Sequence, residues 1–264
     1  ARKYVGGFGT QSSAVAAGGS PSGPPSTLTE LYNGTNWTEV NDINTGRGQM
    51  AGAGADSTAG IVFGGNPPAS ALTELWSGTN WTEVNDLNTA RGTGAGVGTS
   101  TAAILAGGEP PTPAVGALTE LWNGSNWTEV NDLNTTRNSL TGFGTSTSAI
   151  ANGGSENNIC ESWNGTNWTE VNNLNNNRTL AGAAGVSNTS GMIFGGGPGA
   201  KAFTENWNGS NWTELSNLNV GRLGVEGAGT SASALAFGGG TPPVTTATEE
   251  FSNTALITRT IDTD

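Results

Sequence analysis

The sequence predicts an all-β chain folded as one six-bladed β-propeller, with four antiparallel strands and about 44 residues per blade. Three observations carry that prediction. First, "NGTNWTEV" at Asn33–Val40 returns in near copy at Thr79–Val84, Asn123–Val130, Asn164–Val171 and Asn208–Leu215. Second, other rows keep step with it. Trp37, Trp81, Trp127, Trp168 and Trp212 lie 44, 46, 41 and 44 residues apart. Ten residues after each stands Arg47, Arg91, Arg137, Arg178 or Arg222, with Arg2 one period earlier. Seven residues before each stands Glu30, Glu74, Glu120, Glu161 or Glu205, and Glu249 continues the row. Third, six glycine pairs mark six units: Gly18–Gly19, Gly64–Gly65, Gly107–Gly108, Gly153–Gly154, Gly195–Gly196 and Gly238–Gly239. Counting from Arg222 through Asp264 and on to Arg2 gives 44 again, so the ends meet in register as a ring requires.

The elements follow in order within one unit, Arg91 to Thr135. Strand one is predicted over Thr93–Gly98, where glycine alternates with small residues. Ser100–Thr101 makes a turn, and strand two, Ala102–Ala106, runs into the glycine pair. The loop "EPPTPAVG" leads to strand three, Ala117–Trp122, and "NGSN" leads to strand four, Trp127–Leu133. Asn-Gly takes positive φ readily, as a tight hairpin needs. A four-residue turn sets Tyr32 opposite Trp37, and Trp76, Trp122, Trp163 and Trp207 opposite Trp81, Trp127, Trp168 and Trp212. Such pairs contribute about 0.5–1.5 kcal/mol each beyond simple burial. They are expected to cover the outer blade and fill the space between neighbours; the alternative is exposed platforms for sugars. The inner strands ("GGFGT", "AGAGAD", "TGAGVGT", "TGFGT", "AGAAGV", "GAGT") are small, as strands crowding an axis must be. The chain is read as one domain, 1–264, with blades at 1–45, 46–89, 90–135, 136–176, 177–220 and 221–264.

The sixth unit departs. "EEFSNTALITRTIDTD" has Phe251 but no Trp, and its outer strand is predicted over Ala255–Ile261. This unit reads as a stop, with Asp264 expected near the natural C-terminus. Because units start at the inner strand, closure is expected to rest on side-chain packing between blades one and six, without an exchanged strand.

Composition narrows the function. Only 34% of the residues are hydrophobic and 43 are Gly, so the core is thin and repetitive. Formal net charge is −12, and no cluster of Lys or Arg could follow a phosphate backbone, so no nucleic-acid partner is expected. The acidic surface disfavours anionic membranes, and no apolar run approaches the ~20 residues of a membrane span. With Cys160 alone, an intrachain disulfide is excluded. Without histidine, His-dependent bases, metal triads and a Ser-His-Asp arrangement are excluded. The chain begins at Ala1 with no signal-like segment, as expected of a processed protein or a domain cut from a longer one.

The Arg and Glu rows are expected to be structural, an Arg fork holding carboxylates or carbonyls of a neighbouring blade. A second row, Glu39, Glu83, Glu129, Glu170 and Glu214, places charge on the outermost strand, where it discourages edge pairing. Asp42, Asp86 and Asp132, replaced by Asn173 and Asn217, form either a weak calcium row or, the better fit, turn-forming Asx positions. N-x-[ST] triplets such as Asn33-Gly-Thr35 follow from the hairpin's own needs.

Glycine pair, Glu, aromatic, Trp and then Arg ten residues on: over its whole length the chain resembles the kelch repeat. In that family a large apolar residue or Tyr precedes the glycine pair. Phe63, Phe194 and Phe237 match; Ala17, Ala106 and Asn152 do not, which implies looser inner packing. Kelch-type copper oxidases use His and a Cys–Tyr crosslink. Here His is absent, and Cys160 stands in a variable loop with only Tyr4 and Tyr32 in the chain. Six-bladed sialidases use an arginine triad and a Tyr; the hairpin Asp they share is missing, and these arginines belong to the repeat. No catalytic residue, cofactor or metal site is therefore assigned.

Near-identical Asn/Thr/Gly-rich arrays ending in a Trp-less unit are similar to proteins of marine viruses and phages. That resemblance implies an extracellular or virion-associated binding module on a virion appendage. Units differ mainly between glycine pair and Glu: "SPSGPPSTLT", "NPPASALT", "EPPTPAVGALT", "SENNIC", "GPGAKAFT" and "TPPVTTAT". Loops on a rigid scaffold carry recognition, so the ligand-binding candidates are Pro24, Pro25, Pro67, Pro68, Pro110, Pro111, Glu156, Asn157, Lys201, Pro242 and Pro243. Neutral drift is the competing explanation for these loops. The expected partner is a cell-surface glycan or protein. The alternatives are a structural propeller docking to other virion chains, an intracellular adaptor, or a sialidase-like glycoside hydrolase.

Overall fold

Short runs of small and β-branched residues, cut by Gly, Asn and Ser, favour strands and tight turns over helices. In the computed structural model, which describes residues 1–20, 23–109, 116–240, 244–252 and the backbone of 260–261, every regular element is a strand. Blade one comprises β1 (Gly6–Thr10), β2 (Ser13–Ala17), β3 (Thr29–Tyr32) and β4 (Trp37–Val40). Blade two comprises β5 (Ala51–Asp56), β6 (Ala59–Phe63), β7 (Thr73–Trp76) and β8 (Trp81–Glu83). Blade three comprises β9 (Ala95–Thr99), β10 (Ala102–Ala106), β11 (Thr119–Trp122) and β12 (Trp127–Glu129). Blade four comprises β13 (Thr141–Thr145), β14 (Ser148–Asn152), β15 (Cys160–Trp163) and β16 (Trp168–Val171). Blade five comprises β17 (Gly182–Ser187), β18 (Ser190–Phe194), β19 (Thr204–Trp207) and β20 (Trp212–Leu215). Blade six comprises β21 (Glu226–Thr230), β22 (Ser233–Phe237), β23 (Thr248–Ser252) and β24 (Thr260–Ile261). Each blade is a four-stranded antiparallel meander, and the inner strands follow one another round the axis until β21 meets β1. The protein is a six-bladed β-propeller.

Strand order matches the expectation; strand ends differ. Strand one of blade three begins at Ala95 rather than Thr93, because Thr93 takes positive φ (59°). Strand four stops at Glu129, since Val130 and Leu133 instead donate backbone N–H groups to Thr119 and Ala117. Of the predicted strand Ala255–Ile261, residues 255–259 lie outside the described residues.

Among the described residues no blade has a hydrophobic core of its own. The apolar clusters lie between blades: Phe8, Val15 and Ala17 of blade one pack with Val62, Trp76 and Trp81 of blade two, and the pattern repeats round the ring. Paired aromatics stand opposite each other as predicted, with Trp76 and Trp81 centroids 5.1 Å apart. The outer indole reaches back one blade. Trp81, Trp127 and Trp168 Nε1 donate to the Thr29, Thr73 and Thr119 hydroxyls, and Trp37 reaches Thr248 across the closure. Where Cys160 replaces that threonine, Trp212 donates to the Asn172 carbonyl instead.

Two belts of backbone hydrogen bonds circle the axis. The second glycine of each pair (Gly19, Gly65, Gly108, Gly154, Gly196, Gly239) donates to the carbonyl of the next blade's Arg47, Arg91, Arg137, Arg178, Arg222 or Arg2. A Cβ on Gly18 would stand 2.6 Å from the Arg47 carbonyl, so the close approach requires glycine. The inner belt runs through residues two beyond each arginine. Gln49 donates to Tyr4, Thr93 to Gln49, Leu180 to Ser139, Gly224 to Leu180, and Tyr4 to Gly224 across the junction of blades six and one, five bonds that span the ring except between Thr93 and Ser139.

The arginines hold their own blades, not the neighbouring ones. Arg47, Arg137, Arg178 and Arg222 meet Glu74, Glu161, Glu205 and Glu249 at 2.7, 2.8, 2.7 and 2.9 Å; Arg91 pairs with Glu120 and Arg2 with Glu30. Burial lowers the guanidinium pKa in the five later blades, and each partner carboxylate counteracts it. The neighbouring blade contributes asparagine: Asn44 N–H and Nδ2 donate to Glu74, and Asn88, Asn134 and Asn175 repeat this on Glu120, Glu161 and Glu205.

The Asp row is likewise a long-range device rather than a local turn. Asp42, Asp86 and Asp132 accept from Thr29, Thr73 and Thr119 N–H, thirteen positions earlier, and Asn173 accepts from Cys160.

Closure involves more than packing. Among the described residues no strand is exchanged, but Gln11 Nε2 donates to Phe251 O at 2.7 Å and to Ala234 O at 3.3 Å, and the Ser233 hydroxyl donates to Gln11 Oε1. Tyr32 Oη donates to Glu250, which together with burial raises the tyrosine pKa.

Candidate functional site: the loop face and the axial cavity

In every blade the loop joining the second and third strands lies at the same end as the link from the previous blade. Its base is pinned: Ser70 N donates to Gly65 O while Ser70 O accepts from Arg91 N. Asn157 and Lys201 occupy that same pinned position, between Gly154 and Arg178 and between Gly196 and Arg222. Asn157 Oδ1 also accepts from Ile159 N, so this residue builds its loop. The Lys201 ammonium donates to Asn177 O at 2.6 Å and lies over the Phe203 ring; partial burial lowers its pKa. Pro24, Pro67, Pro68 and Glu156 are exposed and Pro25 half-exposed, and these form loop tips. Pro110, Pro111, Pro242 and Pro243 lie outside the described residues. The described ones among the predicted residues therefore share one face without converging on a single point.

Inside that ring of loops lies an axial cavity of about 80 Å³, lined by Tyr4, Gln49, Thr93, Leu180, Gly224 and Glu226 among others. Its collar is the inner hydrogen-bonded belt, where Tyr4, Gln49, Thr93, Ser139, Leu180 and Gly224 all have φ between 53° and 63°. The backbone is repeated, yet the side chains are not: one arc is polar and the other apolar or bare. Gly224 makes room for Tyr4, whose ring would stand 2.5 Å from a Cβ there.

Below the collar neighbouring inner strands pack closely against one another. A Cβ on Gly52 would come 2.6 Å from the Gly7 carbonyl. Glu226, the first residue of β21, lines both the loop-face cavity and its counterpart at the opposite end. Its residue surface is partly exposed, on the cavity side of the inner strands. Desolvation pushes its pKa up to about 8, and a hydrogen bond from Gly227 N–H works against that rise.

The expectations for the loops did not include Glu226 or the collar. A signal existed: four residues beyond the arginines stand Gly6, Ala51, Ala95, Thr141, Gly182 and Glu226, five small residues and one acid. Among the described residues no cluster of His, Cys, Asp or Glu could hold a metal ion. Cys160 is buried, and desolvation pushes its thiol up to about 12. No known family model matches this sequence, and no curated protein is detectably similar to it.

Proposed function

We propose that this propeller is a kelch-type, non-catalytic binding module, carried on a virion appendage and recognising a host-surface glycan or protein through the loops between second and third strands. One observation carries the reading: length, proline content and charge vary in those loops, while the hydrogen bonds beneath them repeat blade after blade. A scaffold held constant under variable tips is the arrangement recognition proteins use. Apolar surface is present there as well, with Leu28 37% and Phe203 38% exposed at the loop bases. The chemistry a hydrolase would draw on is committed elsewhere: the six arginines are tied to buried or part-buried glutamates, and Tyr32 to Glu250.

The test is binding of the fluorescently labelled protein to glycan arrays and to candidate host cells, with Pro67→Gly/Pro68→Gly alongside wild type. Loosening one tip is expected to weaken binding by about fivefold through the entropy of ordering it, with a loss of only about a few degrees in thermal midpoint. Absence of binding to every glycan and cell type would refute the reading; capture by virion proteins alone would favour the assembly alternative.

A further inference from the structure

Three departures from the repeat meet at one place on the loop face, where the link from blade four enters blade five. At the position of Lys201 the other blades carry Ser26, Ser70, Gly116, Asn157 and Thr245, all uncharged. At the position of Phe203 they carry Leu28, Leu72, Leu118, Ile159 and Ala247, all aliphatic. The residue before the arginine is Ala1, Gly46, Ala90, Thr136 or Gly221 elsewhere, and Asn177 here. These three residues are neighbours in space. The Lys201 ammonium donates to the Asn177 backbone carbonyl at 2.6 Å and stands 6.0 Å from the Phe203 ring centroid. The Arg178 guanidinium lies 5.7 Å from the same ring. Neutral drift scatters substitutions over a surface; these are contiguous.

Each departure leaves a group that a ligand can use. Phe203, 38% exposed, is the one exposed aromatic side chain among the described residues. Lys201 is one of two lysines in the chain. Among the described residues it makes no ion pair, whereas every described arginine makes one. Glu205, the carboxylate that acts on it electrostatically, is buried and held by Arg178. An ammonium has three N–H donors, and Asn177 O takes one of them. The Asn177 side chain is exposed, with its amide open to solvent. The backbone beneath is fixed: Lys201 N donates to Gly196 O at 2.7 Å, and Lys201 O accepts from Arg222 N at 3.1 Å. Little ordering entropy is therefore lost when a ligand binds.

The electron-rich face of an open aromatic ring attracts the polarised C–H groups on one side of a sugar ring. An unpaired ammonium beside it attracts an anion, and a free amide bonds hydroxyls as donor and acceptor. A sugar that carries a carboxylate meets all three. A peptide adding to a sheet needs a free strand edge, and residues 201–203 lie outside the strands.

We infer that Phe203, Lys201 and Asn177 bind an acidic sugar residue, with its carboxylate on the Lys201 ammonium, its C–H face on the Phe203 ring and its hydroxyls on the Asn177 amide. The inference rests on the reading of the loop face as a recognition surface and names the class of sugar. The net charge of −12 gives an acidic glycan no long-range attraction, so recognition is made by contact at this patch.

Calorimetric and NMR titration of the intact protein tests this. Hexagalacturonate and sialyllactose supply the carboxylate from two sources, a uronic and a sialic acid; the carboxyl-reduced hexamer, lactose and hexaglutamate are the comparisons. The expected result is saturable binding of at least one acidic sugar, about tenfold or more tighter than its neutral counterpart. Lys201→Ser and Phe203→Leu install residues that other blades carry at these positions. Each should weaken binding by about fivefold or more, and Lys201→Ser should erase the preference for the carboxylate. Lys201→Arg, which keeps the charge, should bind within about threefold of wild type. Failure of both acidic sugars to bind, equal binding of the neutral forms, equal binding of hexaglutamate, or unchanged affinity in Lys201→Ser overturns the inference. Should a variant lose its thermal midpoint, the wild-type Phe203 ring resonances decide: displacement by the acidic sugar supports the patch, and no displacement overturns it. Binding of neutral glycans or host cells that survives in Lys201→Ser would overturn this inference and leave the loop-face reading standing; no binding to any glycan or cell would remove both.

Discussion

Single residues differ here in how visible they are, and repetition decides it. The Arg and Glu rows could be recognised because they recur in step; their partnership within one blade could not, since spacing alone does not say which arginine meets which acid. Glu226 was invisible for the opposite reason. It occurs once, directly before the Gly-Ala-Gly run that reads as the sixth inner strand. Its raised pKa has a signed consequence. Below the ordinary glutamate pKa of about 4.3 both folded and unfolded chains hold the proton, and Glu226 has no effect on stability. Above it the unfolded chain ionises while the folded chain stays protonated, so stability falls as pH rises and levels off beyond about 8. E226Q should match wild type near pH 4 and exceed it near pH 9, by about 2–5 kcal/mol. Urea unfolding at both pH values measures this; a constant difference between the two proteins would contradict it.

Within and between blades, the hairpin that repeats in the sequence works as a stitch. Asn33 Oδ1 accepts from Thr35 and Asn36 N–H, and Asn123, Asn164 and Asn208 do the same in their own turns. The second Asn of each turn then meets the preceding blade. Asn41, Asn85, Asn131 and Asn172 Nδ2 donate to Asn80, Asn126, Asn167 and Asn211 Oδ1 at 2.8 to 3.0 Å. The turn geometry was legible from Asn-Gly, but its reach into the next blade was not, because the sequence holds no marker of distance in space. Inner packing shows the same limit. Where Ala17 and Ala106 replace the aromatic before the glycine pair, Met50 and Leu140 of the next link pack against Gly18 and Gly107. The looseness implied by those alanines is therefore filled. Blade four differs: Asn152 is 1% exposed and neither side-chain polar atom has a partner. Blade position also grades the ion pairs. The Glu120 side chain is 1% exposed, while Glu30 is 38% exposed. Glu120→Ala should cost about 3–5 kcal/mol by leaving Arg91 buried and unpaired. Glu30→Ala should cost less, about 1–3 kcal/mol, because Arg2 is buried but Glu30 is already solvated. Chemical denaturation compares them, and equal losses would contradict this grading.

At the scale of the whole molecule, stability comes from circularity: each blade supplies hydrophobic cover to its neighbour, and both backbone belts pass through the junction of blades six and one. Residues 1–4 carry much of that junction. Arg2 contributes the carbonyl that accepts from Gly239, and Tyr4 donates to Gly224. A chain beginning at Val5 is expected to lose about 10 °C in thermal midpoint; an unchanged midpoint by scanning calorimetry would show that the belts contribute little. The closed ring itself could be read from the phase of the arginines across the chain ends, but the belts could not, being made of backbone.

The stitching also has a direction. In each case the donor sits on one blade and the acceptor on the following one, a head-to-tail contact of the kind that grows into filaments when nothing ends it. Blade six lacks the Asn-Gly-Thr-Asn-Trp hairpin, and Ser216 of blade five stands where its predecessors carry the donor. The unit that breaks the repeat thus withholds the complementary half of the joint from its neighbours. Separate molecules with otherwise interchangeable segments are thereby discouraged from trading blades or chaining together.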